Sequence, residues 1–79
     1  MKINPEHIKV LIKLINRGPY FELLSMEVRE IGIGYSVVEV NLDKKHMNPF
    51  GAIHGGVYSS IIDTAAYWSA YCEYYFLNI

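Results

Sequence analysis

Hydrophobic residues near the start of the chain recur at the spacing of an amphipathic helix. Asn4 and Pro5 precede this pattern, and a capping residue followed by proline in the first turn is a typical helix start. The apolar positions on one face are Ile8, Leu11, Ile12 and Ile15. The polar positions expected to face away are Lys9, Lys13 and Asn16. Because Gly18 and Pro19 stop such a pattern, we predict a first helix over residues 5–17.

The middle of the chain has the composition of two β-strands. Residues 20–31 are rich in aromatic and aliphatic side chains, with polar residues alternating late in the segment. Residues 35–42 contain three valines, which favour extended structure. The intervening residues 32–34, with two glycines, form a turn. The pattern therefore predicts an antiparallel hairpin.

A second, longer helix follows a loop over residues 43–53. We expect this helix to begin at Gly55 or Gly56 and to end at about Glu73, and residues 74–79 either extend it or begin a strand. These elements predict an α+β domain spanning residues 1–79, with a long helix packed on an antiparallel sheet.

Composition narrows the possible partners. The chain has 79 residues and a net charge of −1, so it is one domain at most and has no electrostatic case for nucleic acid. Its 52% hydrophobic content is high for so short a chain and predicts association with another subunit. The single cysteine, Cys72, excludes an internal disulfide and fits a reducing, cytoplasmic compartment. We interpret Cys72 as a small buried residue.

Asp63 is the first candidate for chemistry. It is the only carboxylate between Asp43 and Glu73, and it lies in the middle of an apolar helical run. Within a membrane it would cost about 2.5–3.5 kcal/mol, so we predict a buried helix of a soluble protein and no membrane partner. An acid there is either solvated, which is the commoner fate of aspartate, or takes part in catalysis. Its small, weakly polar helical stripe resembles a pocket wall or a close helix contact more than a solvent face, and it comprises Gly56, Ser59, Ser60, Tyr67 and Ala70.

The second candidate is the turn His54-Gly55-Gly56. It can be a plain turn in which the glycines supply unusual dihedral angles and His54 bonds to the backbone. Alternatively, the glycines let a carbonyl oxygen approach the free N–H groups at the helix start. The spacing of His46, His54 and Asp63 matches no standard metal-ligand pattern, so we predict neither a metal nor a cofactor.

Together these residues resemble a known family. The motif is similar to the signature of hotdog-fold acyl-CoA thioesterases, closest to the phenylacetate-degradation (PaaI-like) branch. The resemblance covers most of the chain, and its motif residues are Asn48, Gly51, His54, Gly55, Gly56, Asp63, Thr64 and Ala65. Because hotdog domains also include dehydratases, the motif is more specific for the fold than for thioester hydrolysis.

The resemblance implies a role for each matching residue. Asp63 corresponds to the catalytic carboxylate, acting as general base or nucleophile, and the Gly55 N–H to the donor that polarises the thioester carbonyl. His54 corresponds to the histidine that shapes the turn. Asn48, otherwise a common turn former, corresponds to the residue that orients water or substrate. The substrate-binding residues on the same stripe would be Gly56, Ser59 and Tyr67.

Three functional alternatives stay open. The first is hydrolysis of an acyl-CoA to a free acid and CoA by a homodimer or homotetramer that shares active sites between subunits. The second is a hotdog module that binds acyl groups without hydrolysing them. The third is an inactive fragment, because the family's sheet continues with further strands after the helix; we expect a whole domain of about 130 residues.

Overall fold

The computed structural model describes the backbone of residues 4–76 and the side chains of residues 4–73. In chain order, the elements are helix α1 (Pro5–Asn16), helix α2 (Pro19–Leu24), strand β1 (Met26–Gly32), strand β2 (Tyr35–Val40), a 3-10 turn (Lys44–His46) and helix α3 (Gly55–Phe76).

Helix α1 begins and ends close to its predicted bounds. The side chain of Asn4 accepts a hydrogen bond from the Glu6 N–H at 3.0 Å, and Pro5 occupies the first turn. Ile8 is buried against the sheet, with Ile12 and Ile15 packed beside it. The periodic apolar face therefore forms one side of the core, as predicted.

One detail of the α1 prediction is wrong: Asn16 was expected to face away, but it faces the sheet. Its side-chain oxygen accepts from the Val28 N–H at 2.8 Å, and its Nδ2 donates to the Val28 carbonyl at 3.0 Å. The amide thus pairs with β1 as a neighbouring strand would, and it satisfies two backbone groups of a residue that is 1% exposed.

Helix α2 overturns the first half of the predicted strand over residues 20–31. Pro19 occupies the first helical turn, and Ser25 ends the helix in the left-handed conformation at φ 53°. Pro19 therefore starts this short helix as well as stopping α1. The strand begins only at Met26.

The hairpin of β1 and β2 is antiparallel, as predicted, although β2 ends at Val40, two residues early. A bulge between Val28 and Glu30 leaves Arg29 without a partner residue in β2. The extra residue brings Val28 and Ile31 onto one face despite their spacing of three. Both side chains point into the core.

Helix α3 packs across the inner face of this hairpin, and the α+β class is confirmed. Cys72 joins Ile8, Val28 and Ile31 in the core and is fully buried, as expected. The Ser36 hydroxyl on β2 donates to the Ala65 carbonyl of α3 at 2.8 Å. A long helix on an antiparallel sheet is consistent with a hotdog fold. Residues 74–76 extend the helix, whereas residues 77–79 lie outside the described part of the chain.

The opposite face of α3 is not covered by the hairpin or by α1. Ile62 is 68% exposed, and Tyr58 and Tyr67 are also exposed. The hairpin and α1 therefore leave Ile62 uncovered within the described chain. No helix within the described residues is long and apolar enough to cross a membrane.

Candidate active site

The loop before α3 is ordered by Asn48. Its side-chain oxygen accepts hydrogen bonds from the Phe50 N–H at 2.9 Å and the Ala52 N–H at 3.1 Å. The Asn48 N–H donates to the Ala52 carbonyl at 2.7 Å, and Gly51 provides the positive φ of 83° that the turn needs. Asn48 is thus a turn former here, and only its Nδ2 is left to contact water or substrate.

His54 is the last residue before α3 and caps that helix. Its Nδ1 accepts a hydrogen bond from the Gly56 N–H at 2.8 Å, and its carbonyl accepts from the Val57 N–H at 3.0 Å. An Nδ1 that accepts carries no proton, so the proton of the neutral ring is on Nε2. Helix capping of this kind satisfies two of the N–H groups that every helix start leaves unpaired.

Gly55 keeps the open N–H group of this turn. Its N–H donates to no acceptor within residues 4–76, whereas the next two N–H groups are both bonded to His54. Gly55 is exposed, and a Cβ added to it would meet nothing within 4 Å. The backbone here can therefore be approached by a polarised oxygen, at the positive end of a 22-residue helix.

Asp63 lies two turns further along the same helix. It is exposed and makes no ion pair or hydrogen bond with any described side chain. Of its apolar sequence neighbours, Ile61 and Ala65 are half-buried, and Ile62 and Ala66 are exposed, so they do not enclose it. Within one chain Asp63 is a solvated acid and not part of a closed pocket wall.

The three residues expected to contact substrate occupy this same exposed face. Gly56, Ser59 and Tyr67 are all exposed. Tyr67 packs edge-on against Trp68, with ring centroids 4.8 Å apart, which fixes the ring beside the exposed face. One chain thus places these three residues and Asp63 on one exposed side of α3 without enclosing them.

Two grooves lie elsewhere on the described surface. The larger, about 480 Å³, is apolar and is lined by Pro5, Ile8, Ile31, Gly32, Ile33 and Tyr35. The smaller lies beside Asn16 and Phe21, and neither groove is lined by a predicted site residue. Among the side chains described, no three His, Cys, Asp or Glu residues are grouped so that they could hold a metal ion.

The sequence analysis missed two contacts around the glycine turn. The ring of His46, at 1% exposure, is bonded at both nitrogens to backbone groups. The Tyr20 hydroxyl of α2 makes a short hydrogen bond with Ser60 Oγ of α3, and Ser60 Oγ also donates to the Gly56 carbonyl at 2.9 Å. The signal for the second was Pro19, which marks the start of α2.

Comparison with known proteins gives one informative match. A protein of Archaeoglobus fulgidus named "Putative esterase" is 40% identical over 45 residues, which are 57% of this chain and 29% of that protein. The aligned segment therefore spans less than a third of the relative. The match indicates a hydrolase-like relative. No family model and no solved structure matches the chain.

Proposed function

We propose that the protein is an acyl-CoA thioesterase of the hotdog class. The observation that carries this proposal is the Gly55 N–H, which is left open at the start of α3 while His54 occupies the Gly56 N–H. A preorganised donor of this kind stabilises the oxyanion that forms when a thioester carbonyl is attacked. The similarity to a protein named as an esterase supports the same class of acyl transfer.

Asp63 supplies the second group that hydrolysis needs. As a general base it would take a proton from water while the oxygen attacks the carbonyl carbon, after which the carbon–sulfur bond breaks and the CoA thiolate takes up a proton. As a nucleophile it would attack the carbonyl carbon and expel the CoA thiolate, which takes up a proton, and water would then hydrolyse the acyl-enzyme anhydride to the free acid and the Asp63 carboxylate. Both routes need a carboxylate, so Asp63→Asn, which replaces it with an amide, would abolish both.

The reacting site would be shared between two copies of the chain. Gly55 and Asp63 are eight residues apart on α3, which is roughly 12 Å along the axis at 1.5 Å per residue. A carbonyl must lie about 3 Å from its donor and close to the base, so one helix cannot serve both ends. Two antiparallel α3 helices would bring the glycine turn of each to the aspartate of the other.

The exposed face of α3 supports this arrangement. Gly55, Asp63 and Tyr67 are exposed on it beside Ile62, which is apolar and largely uncovered. Small residues let two helices approach closely, and burial of Ile62 and Tyr67 would favour association. A second copy would also exclude water around Asp63, which the single chain does not do.

The test is hydrolysis of phenylacetyl-CoA and short acyl-CoAs by the wild-type protein and Asp63→Asn. We expect Asp63→Asn to lower kcat by about 10²-fold or more, as expected for loss of a general base or nucleophile. Glu30→Gln is the matched control, because Glu30 is an exposed carboxylate on the hairpin with no ion pair among those described. Full activity in a folded Asp63→Asn protein would overturn the role of Asp63.

The same assay distinguishes the thioesterase from the second candidate function, a module that binds acyl groups without hydrolysing them. Such a module would bind a non-hydrolysable acyl-CoA thioether equally well in the wild type and in Asp63→Asn, and neither would release CoA. Its support is the exposure of Asp63 in the single chain. Turnover by the wild type would exclude it.

A further inference from the structure

We infer that His46 is a positioning residue for the Gly55 turn, acting through the loop that carries it. The inference rests on the proposed function for its kinetic consequence, but its structural part can be tested without any substrate. His46 is 1% exposed and lies in the 3-10 turn eight residues before His54. His46 is not one of the motif residues, so the resemblance assigns it no role in the site.

The ring of His46 is held at both nitrogens by backbone groups from different segments. Nδ1 accepts from the Asp43 N–H at 2.9 Å, which completes a capping box with the Asp43 side chain. Nε2 donates to the Leu24 carbonyl near the end of α2. The buried ring thus joins the start of the loop to a residue 22 positions earlier in α2. Replacing it with an apolar side chain would leave the Asp43 N–H and the Leu24 carbonyl without these partners.

A second contact holds the 3-10 turn against the end of α2. The adjacent Lys45 extends its ammonium group to the Ser25 hydroxyl at 2.7 Å. Ser25 is the residue that ends α2, so two consecutive side chains of the 3-10 turn attach to the end of one helix. The base of the loop is therefore held against α2 and not only along its own chain.

From His46 the connection to the glycine turn is direct. The His46 carbonyl accepts the His54 N–H at 2.8 Å, and Met47 pairs with Ile53 as an antiparallel bridge. His54 in turn caps Gly56 and precedes Gly55. The residue that holds the loop to α2 thus also bonds to the residue that sets the direction of the Gly55 N–H.

Helix α2 holds the other side of the turn as well. The Tyr20 hydroxyl bonds to Ser60 Oγ, and Ser60 Oγ donates to the Gly56 carbonyl. One short helix therefore contacts the loop before the turn, through His46, and Ser60 of α3 after it, through Tyr20; Ser60 in turn bonds to Gly56 in the first turn of α3. A donor must be held to within a fraction of an ångström to stabilise an oxyanion, and this frame provides that restraint.

The test compares three variants. His46→Leu fills the space without a polar atom. His46→Gln restores an acceptor and a donor joined through one carbon, as the two ring nitrogens are, and glutamine suits the last position of a capping box. Val28→Ala is the control for general loss of stability, because Val28 is equally buried but lies in the hairpin. All are measured well below their unfolding temperatures.

Kinetics give the first readout. We expect His46→Leu to lower kcat by about tenfold or more while KM stays within about threefold, because the misplaced donor acts on the transition state. His46→Gln should recover most of kcat, and Val28→Ala should keep it within about twofold when folded. A His46→Leu protein with wild-type kcat, or a Val28→Ala protein with the same loss, would overturn the inference.

Amide hydrogen exchange and nitrogen-15 shifts give the second readout and need no substrate. In His46→Leu the Gly56 amide should lose protection and the Gly55 and Gly56 signals should move, whereas in Val28→Ala they should stay near their wild-type positions. If the wild type hydrolyses no thioester but these shifts appear, the proposed function fails and the positioning role stands. Unmoved Gly55 and Gly56 signals would refute the positioning role whatever the activity.

Discussion

His54 Nδ1 accepts the backbone N–H of Gly56 at 2.8 Å, and so the histidine side chain caps the helix on which Asp63 lies. The bond leaves the N–H of Gly55, one residue earlier, open at the surface. A motif histidine and a motif glycine thus have separate tasks at one turn. The histidine completes the helix start, and the glycine N–H is the donor that the proposed function requires.

The His54 cap predicts a stability effect. His54→Ala should lower the free energy of unfolding by about 0.5–2 kcal/mol, as loss of a capping side chain does, while His54→Asn should keep most of it because asparagine is a good capping residue. Urea denaturation followed by circular dichroism measures both. Equal stability of His54→Ala and wild type would show that the cap contributes nothing.

Asn16, which is remote from the site, should contribute more to the free energy of unfolding than His54 does. Asn16→Ala removes the partners of the buried Val28 N–H and carbonyl, and each unpaired group costs about 1–3 kcal/mol. Asn41→Ala is the control, since Asn41 is exposed and bonds within the described chain through its backbone N–H. We expect a clear fall in unfolding free energy for Asn16→Ala and a change within about 0.5 kcal/mol for Asn41→Ala.

Much of the fold could be predicted because the signals for α1, β2 and α3 lie within each segment. The apolar spacing around Ile8 and the valines of β2 each define an element without reference to the rest of the chain. Helix α2 was missed because the aromatic residues after Pro19 favour a strand, whereas the position of Pro19 in the first turn decides for a helix.

Candidate site residues can be named from the sequence, but their geometry could not be predicted from it. Asp63 has apolar neighbours in sequence, but adjacent residues of a helix point to different sides, so they do not bury it. The roles of Asn16 and His46 depend on partners 12 and 22 residues away. Such contacts are set by how the elements pack, which local patterns do not encode.

Cys72 predicts a pH dependence of stability. Burial raises the pKa of the Cys72 thiol. The unfolded thiol ionises at about pH 8.5 and the folded thiol at a higher pH, so the unfolded state loses its proton first and stability falls as pH rises above about 8.5. The contribution of Cys72 cannot exceed about 1.4 kcal/mol per pH unit.

The measurement is unfolding free energy against pH for wild type and Cys72→Ala. The wild type should show the steeper fall above pH 8.5, and the difference between the two curves isolates the thiol. In the same range the folded protein should react slowly with a thiol reagent and the urea-unfolded protein quickly. Parallel curves, with fast labelling of the folded protein, would contradict the burial of Cys72.

Ile62 predicts how the protein associates. If two α3 helices pack through their exposed faces, Ile62→Lys places a charge in that interface and should shift sedimentation toward the monomer, with loss of activity. Val10→Lys is the matched control, because Val10 is 57% exposed on α1. An unchanged oligomer in Ile62→Lys, or an active monomer, would exclude the shared site.

The most direct test of the central claim removes the Gly55 N–H and nothing else in the turn. Proline is well suited to the first residue of a helix, so Gly55→Pro should preserve α3 while deleting the donor, and Gly55→Ala retains the donor with a Cβ that meets open space. We predict a fall in kcat of about 10²- to 10³-fold for Gly55→Pro, as for loss of one oxyanion donor, with Gly55→Ala close to wild type. A folded Gly55→Pro protein that hydrolyses acyl-CoA as fast as Gly55→Ala would contradict the claim.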